Sequence, residues 1–259
     1  MALTNKTIAS TYGDILQADN SGSGRTANGT TIKDGLGNST ALTLGQNKLH
    51  VKPSSDQTDA VVIETSGGTD LLVVDSTNSA VKVGTTQSYA NTQIQRFVCN
   101  DLQPTADTHH IMQVDGHLLT SSTMANFGTG TDPATTFTLG SSETDANSLL
   151  ASMWYIPVAI TIDEVRVIGS GEAADTINFH LFSYTMASGT GSDAGDLSAG
   201  TLLAHNGSTL TTGNDRITTT TLTVDSANVA ADKVVLAFFE NVGGTDDVTA
   251  QLITKYHYQ

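Results

Sequence analysis

Seven histidines, 26 acidic residues and one cysteine are the side chains of this 259-residue chain best suited to chemistry, and their spacing decides how much of it is open to them. A metal centre needs ligands that recur on one face of an element, as in His-x-His or His-Glu-x-x-His. His109 and His110 are adjacent, so in a strand they project to opposite faces and cannot chelate one ion. His50, His117, His180, His205 and His257 are scattered. No metal and no cofactor is therefore expected. Cys99 has no intrachain partner for a disulfide, and Arg96-Phe97-Val98-Cys99-Asn100 reads as a strand holding a small buried hydrophobe rather than a catalytic thiol.

Glycoside hydrolysis would need two carboxylates placed across a cleft. Glu164, Asp163 and Asp175 read as edge or turn acids, with nothing in the sequence to pair them. Asp193 and Asp196, in a Gly-rich stretch over residues 187–200, and Asp246 beside Asp247 read as solvated acids of distal binding loops, with calcium the ion such oxygens would suit. Trp154-Tyr155-Ile156-Pro157 lies in a strand pattern, so its rings are expected in the core or a subunit interface rather than as a sugar platform. No Gly-x-Ser-x-Gly, phosphate-loop or Cys-x-x-Cys motif occurs, and no enzymatic activity is expected.

A net charge of −15, with only 11 Lys and Arg, argues against binding nucleic acid through its phosphates. No stretch approaches the roughly 18 consecutive apolar residues of a membrane span. Met1-Ala2-Leu3-Thr4-Asn5-Lys6 lacks the basic start and apolar run of a secretory leader, so synthesis in a cytosol is expected.

The elements that must position these residues fall in two halves. From residue 13 to residue 88 there is no Phe, Tyr or Trp. Folding must offset roughly 1–2 kcal/mol of backbone entropy per ordered residue, and aromatics supply much of the buried area that does so. Short strands in such a stretch are expected to complete themselves by association of identical chains. Residues 1–40 read as an attachment segment in which Ile8, Tyr12, Ile15 and Leu16 would line one face of a short helix. That helix would need a docking surface or a sister chain. Residues 20–38 read as extended loop with turn signals at Asn28-Gly29 and Asp34-Gly35. Residues 41–100 read as a β-rich stem, with strand candidates at 42–44, 49–51, 61–63, 71–74 and 80–83 and a hairpin over 69–84. Residues 94–99 read as a strand where the chain leaves it.

Residues 101–259 hold the returning aromatics and eight strand candidates: 135–139, 153–158, 160–168, 176–184, 201–204, 216–224, 233–240 and 248–258. The fold class expected is all-β, with the last portion an antiparallel jelly-roll-type β-sandwich.

Leu3-Thr4-Asn5-Lys6-Thr7-Ile8-Ala9-Ser10-Thr11-Tyr12, Asp14-Ile15-Leu16-Gln17-Ala18-Asp19-Asn20 and Lys33-Asp34-Gly35-Leu36-Gly37-Asn38 together resemble the N-terminal region of virion structural proteins of tailed bacteriophages of marine bacteria and cyanobacteria. Leu72-Val73-Val74-Asp75-Ser76-Thr77-Asn78-Ser79-Ala80-Val81-Lys82-Val83-Gly84 is similar to a β module that recurs in phage tail fibres. The likeness covers about the first 90 residues. It implies a homotrimeric tail fibre or similar appendage, assembled in the host cytoplasm. Ile8, Tyr12, Ile15 and Leu16 would dock on other virion proteins, and the C-terminal sandwich would meet a host surface glycan or protein. A capsid decoration, head-fibre or tail-joint protein with no receptor role is the alternative.

Overall fold

The computed structural model describes residues 16–18, 29–84, 88–114, 125–140, 143–172, 174–213 and 215–259. The chain divides into two compact units, 1–90 and 91–259.

The first unit holds two antiparallel four-stranded meanders. One orders β1 (Gln17–Ala18), β2 (Thr30–Lys33), β3 (Ser39–Leu44) and β4 (Leu49–Val51); the other orders β5 (Val61–Glu64), β6 (Asp70–Asp75), β7 (Ala80–Val83) and β8 (Ser88–Tyr89). Thr30 to Lys33, expected as loop, are thus a strand. The turn that follows is set by Asp34, whose Oδ1 accepts from the amides of Leu36 and Asn38. The expected 69–84 hairpin is present as β6–β7. Asp75 closes it by accepting from Asn78 N at 2.9 Å and from Lys82 Nζ at 2.8 Å.

The second unit begins with β9 (Thr92–Leu102) and β10 (His110–Ile111). Next come α1 (Glu143–Ser152), β11 (Trp154–Ile156), β12 (Ile160–Gly171), β13 (Thr176–Met186) and β14 (Leu197–His205). The short β15 (Leu210–Thr211), β16 (Thr218–Thr221), β17 (Thr223–Val224) and β18 (Asn228–Val229) lead to β19 (Lys233–Asn241) and β20 (Val248–Tyr258). One sheet orders β16-β12-β20-β9 and the other β10-β19-β13-β14-β17.

Taken as a ribbon, the pairs are β9 with β20, β10 with β19, β12 with β16 and β13 with β14, all antiparallel. First strand with last, second with next to last, and so inward, is the wrapped double hairpin of a jelly roll. The strand at 94–99, expected where the chain leaves the stem, is the edge strand β9 of this roll. The boundary expected near residue 100 falls inside it, because Phe97 and Cys99 are buried in the sandwich core.

That core lies between the sheets, where alternate residues meet: Val165 and Val167 of β12, Phe179 and Leu181 of β13, Ala237 and Phe239 of β19, Ala250 and Leu252 of β20. β19 buries both faces. Its Val234, Leu236 and Phe238 point the other way, into a second cluster closed by Phe127, Leu149 and Leu197. The cover is α1 and the segment 125–140. Residues 135–139, expected as a strand, make one isolated bridge, Phe137 to Leu197. The helix was not expected, since its buried face is Ser148, Leu149 and Ser152, which gives no apolar periodicity.

Candidate functional site

The strand register defines two ends of the second unit. At one, Asn91 Nδ2 donates to Tyr258 O at 2.9 Å and Thr185 pairs with Lys233. At the other, Leu102 and Gly171 both pair with Val248, and Ile177 pairs with Asn241. Eight residue steps along β13 take the chain from Ile177 to Thr185, about 27 Å at roughly 3.4 Å per residue. Asp193 and Asp196, in the turn between β13 and β14, lie at the end where the chain enters. Asp246, between β19 and β20, lies at the far end. The structure therefore does not join the three acids into one loop surface. Asp196 is also occupied locally, its Oδ1 accepting from Leu139 N at 2.8 Å, and Asp193 accepts from Ser192 Oγ.

The far end carries a cavity of about 260 Å³ lined by Asp101, Ser170, Gly171, Glu172, Asp215, Asp247 and Thr249. Backbone bonds draw these acids together. Asp101 N donates to Thr249 Oγ1, Glu172 N to Asp247 O, and Asp215 N to Gly171 O. Asp101 and Asp215 both hold φ at 53°, the left-handed turn that Asp tolerates better than most residues. Four carboxylates from four segments meet here; Asp247 was singled out from the sequence, but beside Asp246, and Asp101, Glu172 and Asp215 were not. The lining has no thiol, no imidazole and no aromatic face for a sugar.

Asp175, expected as an edge or turn acid, is buried instead. Its Oδ1 accepts from Asn241 Nδ2 at 3.0 Å, and its backbone is tied to Thr212. Asp163 lies 2.9 Å from His257 Nδ1, and Glu164 bonds Arg166 at 2.8 Å.

On the outer face of the β19–β13–β14 sheet three imidazoles stand in a row. The rings of His109 and His180 are 5.0 Å apart, and those of His180 and His205 are 6.3 Å apart and stacked. Carboxylates flank them: Glu240 lies 3.9 Å from His109 Nδ1, Asp132 3.5 Å from His180 Nε2, and Asp225 2.7 Å from His205 Nδ1. His110 faces the opposite way, its ring against Phe239 and its Nε2 accepting from Thr105 N. The adjacent pair is thus split across the sheet, as strand alternation requires. Among the described residues, neither ring nitrogen of His109 nor Nδ1 of His180 has a hydrogen-bond partner.

Burial, followed by the nearness of His180 and His110, holds the His109 imidazole down at about 4. Burial and then His205 do the same for His180, also to about 4. His109 and His180 are neutral at pH 7 and take up protons only in acid. Among the described residues no three His, Cys or carboxylate side chains converge as metal ligands.

No family model matches the chain, and no curated protein does. Among solved structures it is similar to one titled "Structure of infectious bursal disease virus Gx strain". The identity is 10%, the TM-score 0.26, and the match covers 67% of this chain and 34% of that one. The match thus spans about a third of the length of that viral chain.

The remaining residues singled out from the sequence fall elsewhere. Trp154 packs against the core, edge-on to Phe97 and 4.7 Å from Tyr256, while Tyr155 is half exposed with its hydroxyl 2.6 Å from Asp232 Oδ1. Cys99 is buried, and burial pushes its thiol up to about 12. Ile8, Tyr12 and Ile15 lie outside the described residues; Leu16 is described and exposed. No helix among the described residues is long and apolar enough to cross a membrane.

The first unit has a surface that spacing alone did not reveal. The register of β5, β6 and β7 aligns Val61 with Val74 and Val81, and Ile63 with Leu72 and Val83. One face of the sheet is therefore aliphatic at all six positions. Ile63 is 53% exposed, and Val81 and Val83 are about 40% exposed. Val73, on the opposite face, is the one buried apolar side chain among the described residues of the unit.

Proposed function

We propose that this chain is a non-enzymatic structural protein of a bacteriophage virion. In this reading it is a homotrimeric, tail-fibre-like surface appendage that docks by its N-terminal segment and presents the jelly-roll unit for host attachment. One observation carries the reading: the aliphatic face of the β5–β8 sheet exposes Ile63, Val81 and Val83 on a unit whose described residues hold one buried apolar side chain. Large exposed apolar patches mark places where another surface belongs, and burying such side chains contributes roughly 1–3 kcal/mol each. Sister copies of the same sheet supply a matching surface without burying a charge. Three sheets facing one axis would give a stiff stem. The phage assignment draws on the likeness of the first 90 residues, as does docking on other virion proteins through Ile8, Tyr12, Ile15 and Leu16.

Attachment would be adhesive rather than catalytic, with three sandwiches raising weak contacts with a host glycan or protein into useful avidity. The separation of Asp193 and Asp196 from Asp246 favours weighing the second reading, a capsid decoration, head-fibre or tail-joint protein that reads no receptor.

Sedimentation of the full chain tests the shared premise. A trimer across a wide concentration range supports it, and a well-folded monomer would sink it. Competition then separates the two roles: excess purified chain slows phage adsorption if it reads the host and leaves it unchanged if it is a joint or decoration.

A further inference from the structure

The outer face of the β16-β12-β20-β9 sheet differs from the rest of the second unit. Cross-strand register sets Arg166, Ile253 and Arg96 side by side, with Lys255 and Ile94 in the adjoining row. Ile168 and Val98 extend the patch on the other side of the arginines. Arg96, Arg166, Arg216, Lys233 and Lys255 are all the Lys and Arg of residues 91–259, so three of the five gather on one face of an otherwise acidic unit. Arg166 bonds Glu164 on the same face at 2.8 Å. Arg96 and Lys255 have no carboxylate partner among the described residues, although the chain carries 26 acids. Ile94 is 66% exposed and Ile168 37% exposed, both in the pleat of a regular sheet. Arginine interleaved with aliphatic side chains is the composition of a protein interface rather than of a solvated surface.

We infer that this sheet face docks a second copy of the chain, which presents acidic surface to it. The charge of the chain identifies the partner class: at −15, a sister copy is itself the complementary anion. The same argument fixes the kind of contact. A two-fold pairing of the face with itself would set Arg96, Arg166 and Lys255 against their own copies, and like charges at contact are costly. Unlike surfaces must meet, and a head-to-tail contact of that kind closes into a ring when the rotation allows. The inference rests on the proposed trimer for the number of copies. It adds a second seam, located in the jelly roll and independent of the aliphatic face of the first unit.

Carbodiimide treatment of the full chain, prepared as a mixture of ¹⁴N and ¹⁵N material, reads the seam directly, because the reagent joins an amine only to a carboxylate in contact with it. The expected result is mixed-isotope peptides linking Lys255 to Asp or Glu of residues 91–259. The double change Arg96→Glu and Lys255→Glu should also weaken association of the full chain by at least tenfold. If the chain sediments as an oligomer, yet Lys255 gives no mixed-isotope link and the double variant associates as tightly as the wild type, the sheet face is not the seam and the trimer stands on its stem alone. A chain that stays monomeric overturns both readings.

Discussion

His109 shows what a buried imidazole costs a fold when nothing receives its protons. Both ring nitrogens are shut from water, and the nearest carboxylate, Glu240, is 3.9 Å away. In the unfolded chain His109 and His180 regain ordinary values near 6.5, while in the folded unit they titrate near 4. Between those values the unfolded state binds more protons, so stability falls as pH drops from about 6.5 toward 4 and levels off below. The expected loss is on the order of 1–3 kcal/mol per imidazole. Thermal melts from pH 7.5 to 4.5 check it, and His109→Phe should flatten the slope. Asp75 runs the opposite way. Its hydrogen bond from Lys82, and then those from Asn78, hold its carboxyl down at about 2, so its contribution persists through mild acid and is lost as pH falls through about 2. At Cys99 the expectation is chemical: with the thiol buried and pushed up to about 12, a thiol reagent at pH 8 should label the folded chain negligibly and the denatured chain fully. Its burial was legible from Phe97-Val98-Cys99. The histidine row was not, because His109, His180, His205 and Asp132 come from separate segments that only the register and the cover bring together.

Elements built on alternation were the legible ones. β12 and β20 alternate buried and exposed residues over long stretches, while β13 from Phe179 to Tyr184 and β19 from Val234 to Phe239 are unbroken buried runs, as strands covered on both faces must be. The segment 125–140 follows no period. Ala125, Phe127 and Phe137 are buried or half-buried singly, and besides the Phe137 to Leu197 bridge two further hydrogen bonds clamp the segment to the sheet: Tyr184 Oη donates to Ala134 O at 2.9 Å and Gly200 N to Thr135 O at 2.9 Å. Gly200 matters because a Cβ there would stand 2.7 Å from both Thr135 Cα and Tyr184 Cε1. Gly200→Ala should therefore lift the cover and destabilise the unit by about 1–3 kcal/mol, the usual range for overpacking. Denaturant unfolding of the full chain measures it, with the neighbouring surface change Ser198→Ala as a near-neutral control. In the first unit the informative element is the β5–β8 sheet. Val81→Glu with Val83→Glu alters only its exposed aliphatic face, so the chain should keep its β-sheet circular dichroism and lose its trimer. If sedimentation of that variant still gives a trimer, the face is not the seam of the stem.

Charge acts on the whole molecule in two directions, and their ranges decide which one a salt series reports. Three copies at −15 repel one another over long distances, an effect that ions screen within about 10 Å at 0.1 M and about 30 Å at 0.01 M. The aliphatic seam of the first unit carries no charge and strengthens slightly with salt. Contacts of Arg96 and Lys255 with acids of a sister chain act at a few Å, partly shielded from ions, and weaken far less over the same range. Repulsion among the acidic bodies therefore dominates the response. Association of the full chain should tighten as salt rises from about 0.01 M to about 0.5 M, against the weakening usual for a contact made by opposite charges. Replacing two positive charges of the sheet face by two negative ones, as Arg96→Glu and Lys255→Glu do, should steepen that dependence further, because attraction at the seam is replaced by more repulsion. Sedimentation equilibrium across the salt series checks both statements. Association that weakens steadily with salt would mean that ion pairs, not apolar faces, hold the copies together, and would move the principal seam from the stem to the jelly roll.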